Sequence, residues 1–368
     1  MVLEGDPAGR LPPGPTASVH QVEDEDLPIR GDRRSILREV GALVLVAVIL
    51  VVLVKVAHPE ELWHRIERAD PWWLIAGVGF EVLSFVGYIA LFRGMFVEGI
   101  PRLGWAASAD ITLAGVVATR LFAAAGAGGI ALTSWALRAA GMGLRETARS
   151  VAAFLALLYA SYFATLTVVS ILLLAGLHGA HPALSAFGLL VGAVPIILAF
   201  AALRIPDDLE RRARKMAEGG GRMAKLGVRL TTVPAVVGEA VAEAIEKTRE
   251  KPALFWWSLL WWVGDVALLV VTFAAFGDVP PLGVIVFAYF LGHVGNALPI
   301  PGGIGGTEGG MIGVFAACGV DLSLAVVATL TYQAISVWLP VLPGIGGFLS
   351  LRRRVKEWRA EDAVQAAA

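Results

Sequence analysis

Glu308 is the one acid in a long apolar stretch, and it follows a run of prolines and glycines. Residues 296–320 read N-A-L-P-I-P-G-G-I-G-G-T-E-G-G-M-I-G-V-F-A-A-C-G-V. Proline removes a backbone donor and glycine costs about 1 kcal/mol per helical position relative to alanine, so we expect a break in the helix here. At membrane depth the freed backbone groups must be buried in protein or line a wet cavity. The proline and glycine run before Glu308 therefore predicts a functional site.

The short segment after the break, residues 307–317, is predicted to be a helix that begins with Glu308. The free amides and the partial positive charge of a helix N-terminus favour an anion, such as a phosphate head group. Glu308 is itself an anion, so it either satisfies those amides as a cap or binds a cationic group or a proton. His293 and Asn296, just before the break, could supply hydrogen bonds. For His293 a buried ring with satisfied partners is the simpler interpretation.

Four further ionisable residues lie in apolar stretches: Glu81, Asp110, Arg120 and Asp265. A charge at membrane depth costs at least about 2.5 to 3.5 kcal/mol, so such residues usually face a partner or a cavity. Asp110 and Arg120 lie in one apolar region and could form an ion pair, which would serve either the fold or transport. Glu81 and Asp265 could instead lie close to the membrane surface.

Membrane helices must position these residues, because the composition excludes a soluble globular domain. The 368 residues are 57% hydrophobic and 17% charged, with a mean hydropathy of +0.71. The net charge of -1 gives no indication of nucleic-acid binding. The single cysteine, Cys318, excludes an internal disulfide and a cysteine-rich metal site. The sequence has no histidine-rich metal cluster, nucleophile elbow or P-loop, so we expect no enzyme activity, no metal and no cofactor.

Stretches of about 20 apolar residues predict six full crossings within one transmembrane domain at 38–352. Residues 1–37 are rich in proline, glycine and acids and are predicted to be a disordered tail, and residues 353–368 form a second tail. Four arginines precede the first crossing and the loop at 204–252 holds eleven Lys and Arg, so the positive-inside rule places both termini and this loop in the cytoplasm. The predicted crossings are 38–57, 72–94, 150–177, 182–203, 253–276 and 323–349.

Two apolar regions, 103–140 and 282–319, do not fit a single crossing. If each crossed once, the basic residues that precede the third crossing would lie outside, against the positive-inside rule. We therefore predict two re-entrant helical hairpins, the first entering from the cytoplasm and the second from outside. The pattern G-G-I-x-x-T occurs at 128–133 and at 302–307, which indicates a weak inverted repeat. The predicted fold is an all-α polytopic membrane protein with about six crossings and two opposed hairpins.

The long loop contains a predicted amphipathic helix at 234–250 that packs on the protein's own cytoplasmic face. Its apolar residues recur at helical spacing, and its other side carries Glu239, Glu243, Glu246 and Lys247. Tryptophan pairs at 72–73, 256–257 and 261–262 are predicted to anchor helix ends at the membrane surface.

The motif L-P-I-P-G-G-I-G-G-T-E-G-G at 298–310, with A-A-C-G-V at 316–320 and Y-Q-A-I-S-V-W-L-P-V-L-P-G at 332–344, resembles a known family. It is similar to the flippase-like transmembrane domain of bacterial lysylphosphatidylglycerol synthases and their stand-alone relatives. The resemblance covers roughly residues 38–352 and implies a lipid-handling protein of the bacterial inner membrane. The family's most characteristic motif falls here on Pro301, Gly302, Gly303, Gly305 and Glu308.

The chain departs from this family in two respects. Full-length synthases carry a soluble aminoacyl-transferase domain after the membrane domain, whereas this chain ends about twenty residues after its last predicted crossing. Lipid aminoacylation is therefore not expected. In many relatives the first hairpin carries an acid, but this chain has Thr133 and Ser134 there. A mechanism that uses an acid from each hairpin is thus not supported.

Together these features predict a lipid translocase, in which the two hairpins meet near the midplane and let a head group change leaflet. The cargo would be a membrane lipid, either an anionic phospholipid or a lipid-linked sugar. The alternative is a non-transporting scaffold for a separate membrane enzyme that modifies lipids or transfers sugars, and an integral-membrane enzyme ranks third. The candidate translocation residues are Asp110, Arg120, His293, Asn296, Pro301, Gly302, Gly303, Gly305, Thr307 and Glu308.

Overall fold

The computed structural model describes residues 59–98, 100–121, 127–176, 181–204, 222–297 and 305–367, and the regular structure within them is helical. Five helical segments are long and apolar enough to cross a membrane. The prediction of an all-α polytopic membrane protein is therefore confirmed. The α-helices of the described residues are α1 (Pro59–Glu67), α2 (Pro71–Phe96), α3 (Trp105–Leu121), α4 (Ala127–Ala139), α5 (Leu144–Leu174), α6 (Pro182–Ala202), α7 (Arg222–Glu250), α8 (Ala253–Ala275), α9 (Leu282–His293), α10 (Gly306–Ala317), α11 (Leu322–Gln333) and α12 (Val341–Ala367).

Five of the six predicted crossings have a counterpart among these helices. They are α2, α5, α6, α8 and the segment Leu322–Gln365, which contains α11 and most of α12. A π-helical turn, Ala334–Trp338, follows α11 directly. α5 begins at Leu144, six residues before the predicted start at residue 150. The predicted first crossing at 38–57 and the tail at 1–37 lie outside the described residues.

α2 and α8 run antiparallel and meet at glycines. A Cβ on Gly87 would lie 3.0 Å from the backbone N of Trp261, and a Cβ on Gly264 would lie 2.9 Å from the Cα of Ser84. The Ser84 hydroxyl also donates a hydrogen bond to the Trp261 carbonyl at 2.8 Å. Small residues allow membrane helices to approach closely, where dispersion contacts and interhelical hydrogen bonds hold them.

Contacts between chain segments define two ends of the helix bundle. At one end the Asp70 N–H donates to the Ala275 carbonyl at 2.9 Å, so the start of α2 lies beside the end of α8. Arg65 of α1 forms an ion pair with Asp321 at 2.9 Å, which places the start of α11 at this end as well. We call this the upper end.

The opposite end of the bundle, which we call the lower end, collects the other helix termini. Lys247 of α7 donates to the Met95 carbonyl near the end of α2 at 3.3 Å. Arg102, just before α3, forms an ion pair with Asp362 of α12 at 2.6 Å. The last turns of α2, α7 and α12 and the start of α3 therefore lie together.

Two pairs of short apolar helices join the rest of the chain at these opposite ends, one pair at each end. α3 and α4 connect the lower end of α2 to the lower half of α5, where the Phe96 and Phe154 rings lie 5.6 Å apart. α9 and α10 connect the upper ends of α8 and α11, and the Phe273 and Phe315 rings lie 4.9 Å apart there. Within each pair the two helices pack against each other. The pairs coincide with the predicted hairpins at 103–140 and 282–319, and their re-entry into a membrane stays a prediction.

α7 confirms the predicted helix in the long loop and extends it to Arg222. It packs on the protein, since a Cβ on Gly238 would lie 2.7 Å from the Ala202 carbonyl oxygen at the end of α6. Glu243, on the polar side of the predicted helix, is not in solvent. It is 7% exposed, and it accepts a hydrogen bond from Ser150 at 3.2 Å and pairs with Arg149 at 2.6 Å.

The tryptophan pairs divide into two kinds. Trp72 and Trp256, each near the start of a crossing, are exposed on the surface, as predicted for interfacial anchors. Trp261 and Trp262 lie more than two turns into α8 and were wrongly assigned to an interface. Trp262 is buried and donates to the Leu158 carbonyl at 3.0 Å, so it joins α8 to α5 in the core.

Candidate functional site

The α9–α10 crossing is made by glycines that bring the two backbones into contact. A Cβ on Gly292 would lie 2.7 Å from the Met311 backbone N, and one on Gly310 would lie 2.8 Å from the Gly292 carbonyl oxygen. Closer to the break, a Cβ on Gly295 would lie 2.2 Å from the Gly306 carbonyl oxygen. No larger residue fits at these positions without moving a helix. The end of α9 and the start of α10 therefore lie side by side.

Glu308 caps the helix that it opens. Its side chain is buried, and Oε2 accepts a hydrogen bond from the Gly305 N–H at 2.6 Å. Gly305 has a φ of +89°, a left-handed conformation that glycine adopts without strain, and its carbonyl accepts from the Gly309 N–H at 3.0 Å. Of the two interpretations that the sequence leaves open, the geometry supports the cap. A role of Glu308 in binding cargo stays a prediction.

The other predicted residues around the break fall into two groups. Thr307 is buried next to Glu308, and His293 is half-buried at the end of α9 with Nδ1 2.8 Å from the Tyr289 carbonyl oxygen. This local bond supports the simpler interpretation of His293. Asn296 lies in the 3-10 turn Val294–Ala297, but its side chain is outside the described residues, as are Pro301, Gly302 and Gly303.

Asp265 on α8 is the centre of a buried group that we call the acid–tyrosine cluster: Asp265, Tyr289 and Tyr332. Its Oδ2 accepts hydrogen bonds from the hydroxyls of Tyr289 on α9 and Tyr332 on α11, the latter at 3.0 Å. All three side chains are buried. Asp265 lies midway along a helix long enough to cross a membrane, which argues against the alternative that places it near a membrane surface.

Glu81 lies at a similar level of the bundle on α2 and is also buried, which argues against the same alternative for this residue. Its neighbours Phe80 and Ser84 contact Gly264, the residue next to Asp265 on α8. Two buried acids thus lie in the middle of adjacent crossings, where an ionised carboxylate is costly unless it has donors around it.

Polar groups also collect where α11 passes into its π-helical turn. Gln333 Nε2 and Ser336 Oγ are buried and have no hydrogen-bond partner among the described residues. Leaving a buried donor unsatisfied costs about 1 to 3 kcal/mol. π-Helical turns are often found at functional sites. Two unsatisfied donors beside such a turn, next to Tyr332 of the acid–tyrosine cluster, mark this region as a place where a polar ligand could bind.

The α3–α4 pair has a glycine crossing of its own but a different arrangement of charges. A Cβ on Gly129 would lie 2.7 Å from the Gly115 carbonyl oxygen. Asp110 accepts hydrogen bonds from Ser350 at 2.7 Å and from Arg354 at 3.0 Å, both on α12. Asp110 and Arg120 are ten residues apart on α3, about 15 Å along an ideal helix, so Asp110 pairs with Arg354 instead. The Arg120 side chain lies outside the described residues.

Asp321 joins α1 to α11 at the upper end. Its carboxyl accepts hydrogen bonds from the Ser323 hydroxyl at 2.6 Å and from the Leu324 N–H at 2.9 Å, and it pairs with Arg65. The Ser323 bond first, then the backbone bond and the positive charge of Arg65, hold the pKa of Asp321 below its ordinary value. The acid is thus ionised at neutral pH and attaches α1 to the bundle.

Sequence reasoning missed several residues of this region: Tyr289, Tyr332, Gln333 and Ser336. A signal was present in the run Y-Q-A-I-S at 332–336, which places three polar residues within five positions of a predicted crossing. What the run does not reveal is the partner. Asp265 and Tyr289 come from other helices, and only the packing of α8, α9 and α11 brings them to Tyr332.

Comparison with known proteins gives two matches. The model of the family described as lysylphosphatidylglycerol synthase TM region matches residues 40–344. A UPF0104 membrane protein of Methanothermobacter thermautotrophicus is 29% identical to this chain over 182 residues. That match covers 49% of this chain and 50% of the relative, so this chain spans about half the length of the curated relative.

Proposed function

Since the chain belongs to the lysylphosphatidylglycerol synthase TM region family, we propose that it is a lipid translocase of the membrane in which it lies. In this role it lets the polar head group of a phospholipid or a lipid-linked sugar pass from one leaflet to the other. The proposal includes no covalent step and assigns no enzyme activity to the chain. The main support for the proposal is that the helix pairs α3–α4 and α9–α10 join the bundle at opposite ends. Inverted units of this kind form the cargo path of many transporters.

A polar path at membrane depth is the second requirement, because each unsatisfied polar group of a head group costs several kcal/mol in hydrocarbon. Among the described residues, the acid–tyrosine cluster with Gln333 and Ser336 beside it provides such groups. We propose that these hydroxyl and amide groups replace the hydrogen bonds that a head group loses when it leaves water. Tyr289 belongs both to α9 and to the cluster, so a movement of the α9–α10 pair would also move the cluster.

Orientation in the membrane belongs to the same proposal. Most of the basic residues that the structure describes lie at the lower end, and the positive-inside rule then favours a cytoplasmic lower end. The end of α12 lies there, in agreement with a cytoplasmic C-terminus. We propose a location in the bacterial inner membrane with both termini in the cytoplasm. The basic residues concerned are Arg93, Arg102, Arg138, Arg145, Arg149, Lys247, Arg249, Lys251, Arg352, Arg353 and Arg354.

The test is transbilayer movement of labelled lipid in liposomes that contain the purified protein. We expect anionic, zwitterionic or glycosylated lipids with a fluorescent label to reach the outer leaflet faster than in empty liposomes. Tyr332→Phe removes one hydroxyl from the acid–tyrosine cluster and should slow this movement. Tyr159→Phe is the matched control, because Tyr159 is on the exposed surface and its change should leave the rate unaltered.

Equal rates with and without protein for all of these lipids would contradict the translocase and support the alternative, a scaffold for a separate membrane enzyme. Size-exclusion profiles and melting temperatures of each variant show whether a lost rate reflects lost folding. Equal rates for Tyr332→Phe and wild type would leave the translocase intact but remove the cluster from its path.

A further inference from the structure

An apolar groove of about 750 Å³ lies at the upper end, outside the cluster described above. It is formed by α1, α2, α11 and the first residues of the π-helical turn, with Trp63 at its upper limit and Val78 and Ile335 among its deeper residues. Thr331 provides the only side-chain hydroxyl among its lining residues. The volume is within the range of small-ligand sites in proteins, roughly 300 to 1,000 Å³.

The depth of the groove corresponds to one membrane leaflet. Its lining residues on α11 and the π-helical turn run from Val326 to Ile335. Nine helical steps span about 14 Å, and half of a hydrocarbon core of about 30 Å is about 15 Å. A groove of this length, opening at head-group level, would reach to near the midplane.

Charges of both signs lie at the upper mouth of the groove, where lipid head groups would be. Glu67 accepts a hydrogen bond from the Trp63 indole at 2.6 Å, Arg68 is exposed beside it, and Arg65 is paired with Asp321. Below this level the wall is almost entirely apolar. The arrangement matches an amphiphile with a charged head and a hydrocarbon chain.

The deep end of the groove adjoins the polar groups that have no described partner. Ala334 and Ile335 line the groove, and Gln333 and Ser336, their neighbours in the chain, are the buried residues with unsatisfied donors. On the other wall, Val78 is three residues from the buried Glu81. An apolar surface and a polar one thus meet along the same short stretch of α2 and the π-helical turn.

We propose that this groove binds one acyl chain of a membrane phospholipid from the leaflet at the upper end. We further propose that it is the lateral route between that leaflet and the acid–tyrosine cluster, and this second statement rests on the proposed translocase function. A lipid whose chain lies in the groove has its head group at the mouth. As the chain moves deeper, the head group approaches Gln333 and Ser336.

Another occupant within the chain would be residues 38–57, which are predicted to cross the membrane and which precede α1. Glu67 and Arg68 at the mouth of the groove are exposed and of opposite sign. They can pair with the ammonium and the phosphate of a phospholipid head group, and for this reason we commit to the lipid.

The proposal is tested by photolabelling the full-length protein in vesicles of phosphatidylethanolamine and phosphatidylglycerol. A trace phospholipid carries a diazirine in its acyl chain, and mass spectrometry of peptides locates the label. The matched control surface is Phe187 and Leu190 of α6, which are exposed at a similar depth below the upper end. We expect about tenfold more label on peptides with Ile75, Val78 and Ile335 than on the control surface, corresponding to ~1.4 kcal/mol of preference.

Two substitutions fill the groove without touching the core. Ala334→Trp and Ile75→Trp change exposed lining residues, and each should reduce groove labelling to the level of the control surface. Leu190→Trp on α6 should leave it unchanged. Equal label on groove and control surfaces in wild type would overturn the proposal, because the groove would then be ordinary lipid-facing surface. Cross-linking of Ile75→Cys to a cysteine placed within 38–57 would overturn it as well, in favour of the helix.

The labelling result and the liposome result are independent. If the groove is labelled and no lipid movement is measured, the acyl-chain site stands and the translocase function fails. If lipid moves and the groove is not labelled, the translocase stands and its entry route lies elsewhere. If both hold, Ala334→Trp should also slow lipid movement, while Leu190→Trp should not.

Discussion

Two adjacent glycines of α10 give a sharp test of the α9–α10 crossing. A Cβ on Gly310 would lie 2.8 Å from the Gly292 carbonyl oxygen and 3.0 Å from its Cα, whereas a Cβ on Gly309 would meet nothing within 4 Å. We therefore expect Gly310→Ala to push the two helices apart and Gly309→Ala to be accommodated. Both changes are in one helix, add one methyl group and remove one glycine.

The magnitudes follow from two opposing effects. Replacing glycine by alanine inside a helix gains about 1 kcal/mol at either position. At Gly310 ordinary van der Waals contact begins near 3.4 Å, so the neighbouring backbone must move by several tenths of an ångström. Such overpacking costs typically 1 to 3 kcal/mol. The two variants should thus differ by about 1 to 3 kcal/mol, with Gly309→Ala the more stable.

The measurement is thermal unfolding of both variants and the wild type in the same detergent, together with lipid movement in liposomes. At about 2 °C per kcal/mol for a chain of this size, the two melting temperatures should be roughly 2 to 6 °C apart. Gly309→Ala should melt at or slightly above the wild-type temperature. Equal shifts for both variants would refute the close backbone contact, and so would a higher melting temperature for Gly310→Ala.

Three further predictions concern the cap, the upper end and the chain orientation. Glu308→Gln keeps a carbonyl oxygen that can accept a hydrogen bond from the Gly305 N–H, so this variant should melt near the wild-type temperature. Glu308→Ala loses the cap and should be less stable by about 1 kcal/mol. Equal stability of the two variants would contradict the cap, and a loss of transport in the stable Gln variant would show that the charge itself is needed. The pKa of Asp321 in the folded protein is below its ordinary value of 3.8. The stability that ionised Asp321 gives to the docking of α1 is therefore fully present above pH 3.8 and is lost as the pH falls through the pKa of the folded state. Proteolysis or hydrogen exchange of α1 should increase over that acidic range in wild type and be independent of pH in Asp321→Asn. Leu144 and Val279 are both exposed, the first at the lower end of the bundle and the second at the upper end. In a background without the native cysteine, Leu144→Cys and Val279→Cys should therefore react with impermeant reagents from opposite sides of the membrane. Labelling of both from the same side would contradict the opposed helix pairs.

Much of the fold could be predicted because membrane helices leave a direct record in the sequence. A crossing needs about 20 apolar residues, and α2, α6 and α8 were found within a few residues of their predicted bounds. The start of α5 was missed because Leu144–Ser150 reads as a charged loop, yet Arg149 there has a partner, Glu243 of α7. A pairing between distant segments leaves no periodic signal.

The candidate site was predicted only in part, for the same reason. The proline and glycine run indicated a helix that begins near Glu308, with a cap as one of two roles for that acid, because helix starts and caps are local features of the chain. Asp265 was undervalued because its tyrosine partners come from two other helices. The sequence suggested Arg120, in the same region, as a possible partner of Asp110, whereas the partner is Arg354, 244 residues further along the chain.

Glu308 and Asp265 are both buried acids, but the structure gives each a different reason to be there. Gly292, Gly295 and Gly310 bring the backbones of α9 and α10 so close that the first amides of α10 have little access to water, and an acid at Glu308 satisfies one of them. The fold therefore accounts for Glu308 without cargo. Asp265 has no such backbone to cap, since it lies in the middle of α8 with its hydrogen bonds intact around it. A phenylalanine at Tyr332 and an apolar residue at Asp265 would complete the packing at lower cost in hydrocarbon than a carboxylate with two hydroxyl donors. In the proposed translocase, a polar cargo that passes through the membrane would give these polar groups a use beyond stability.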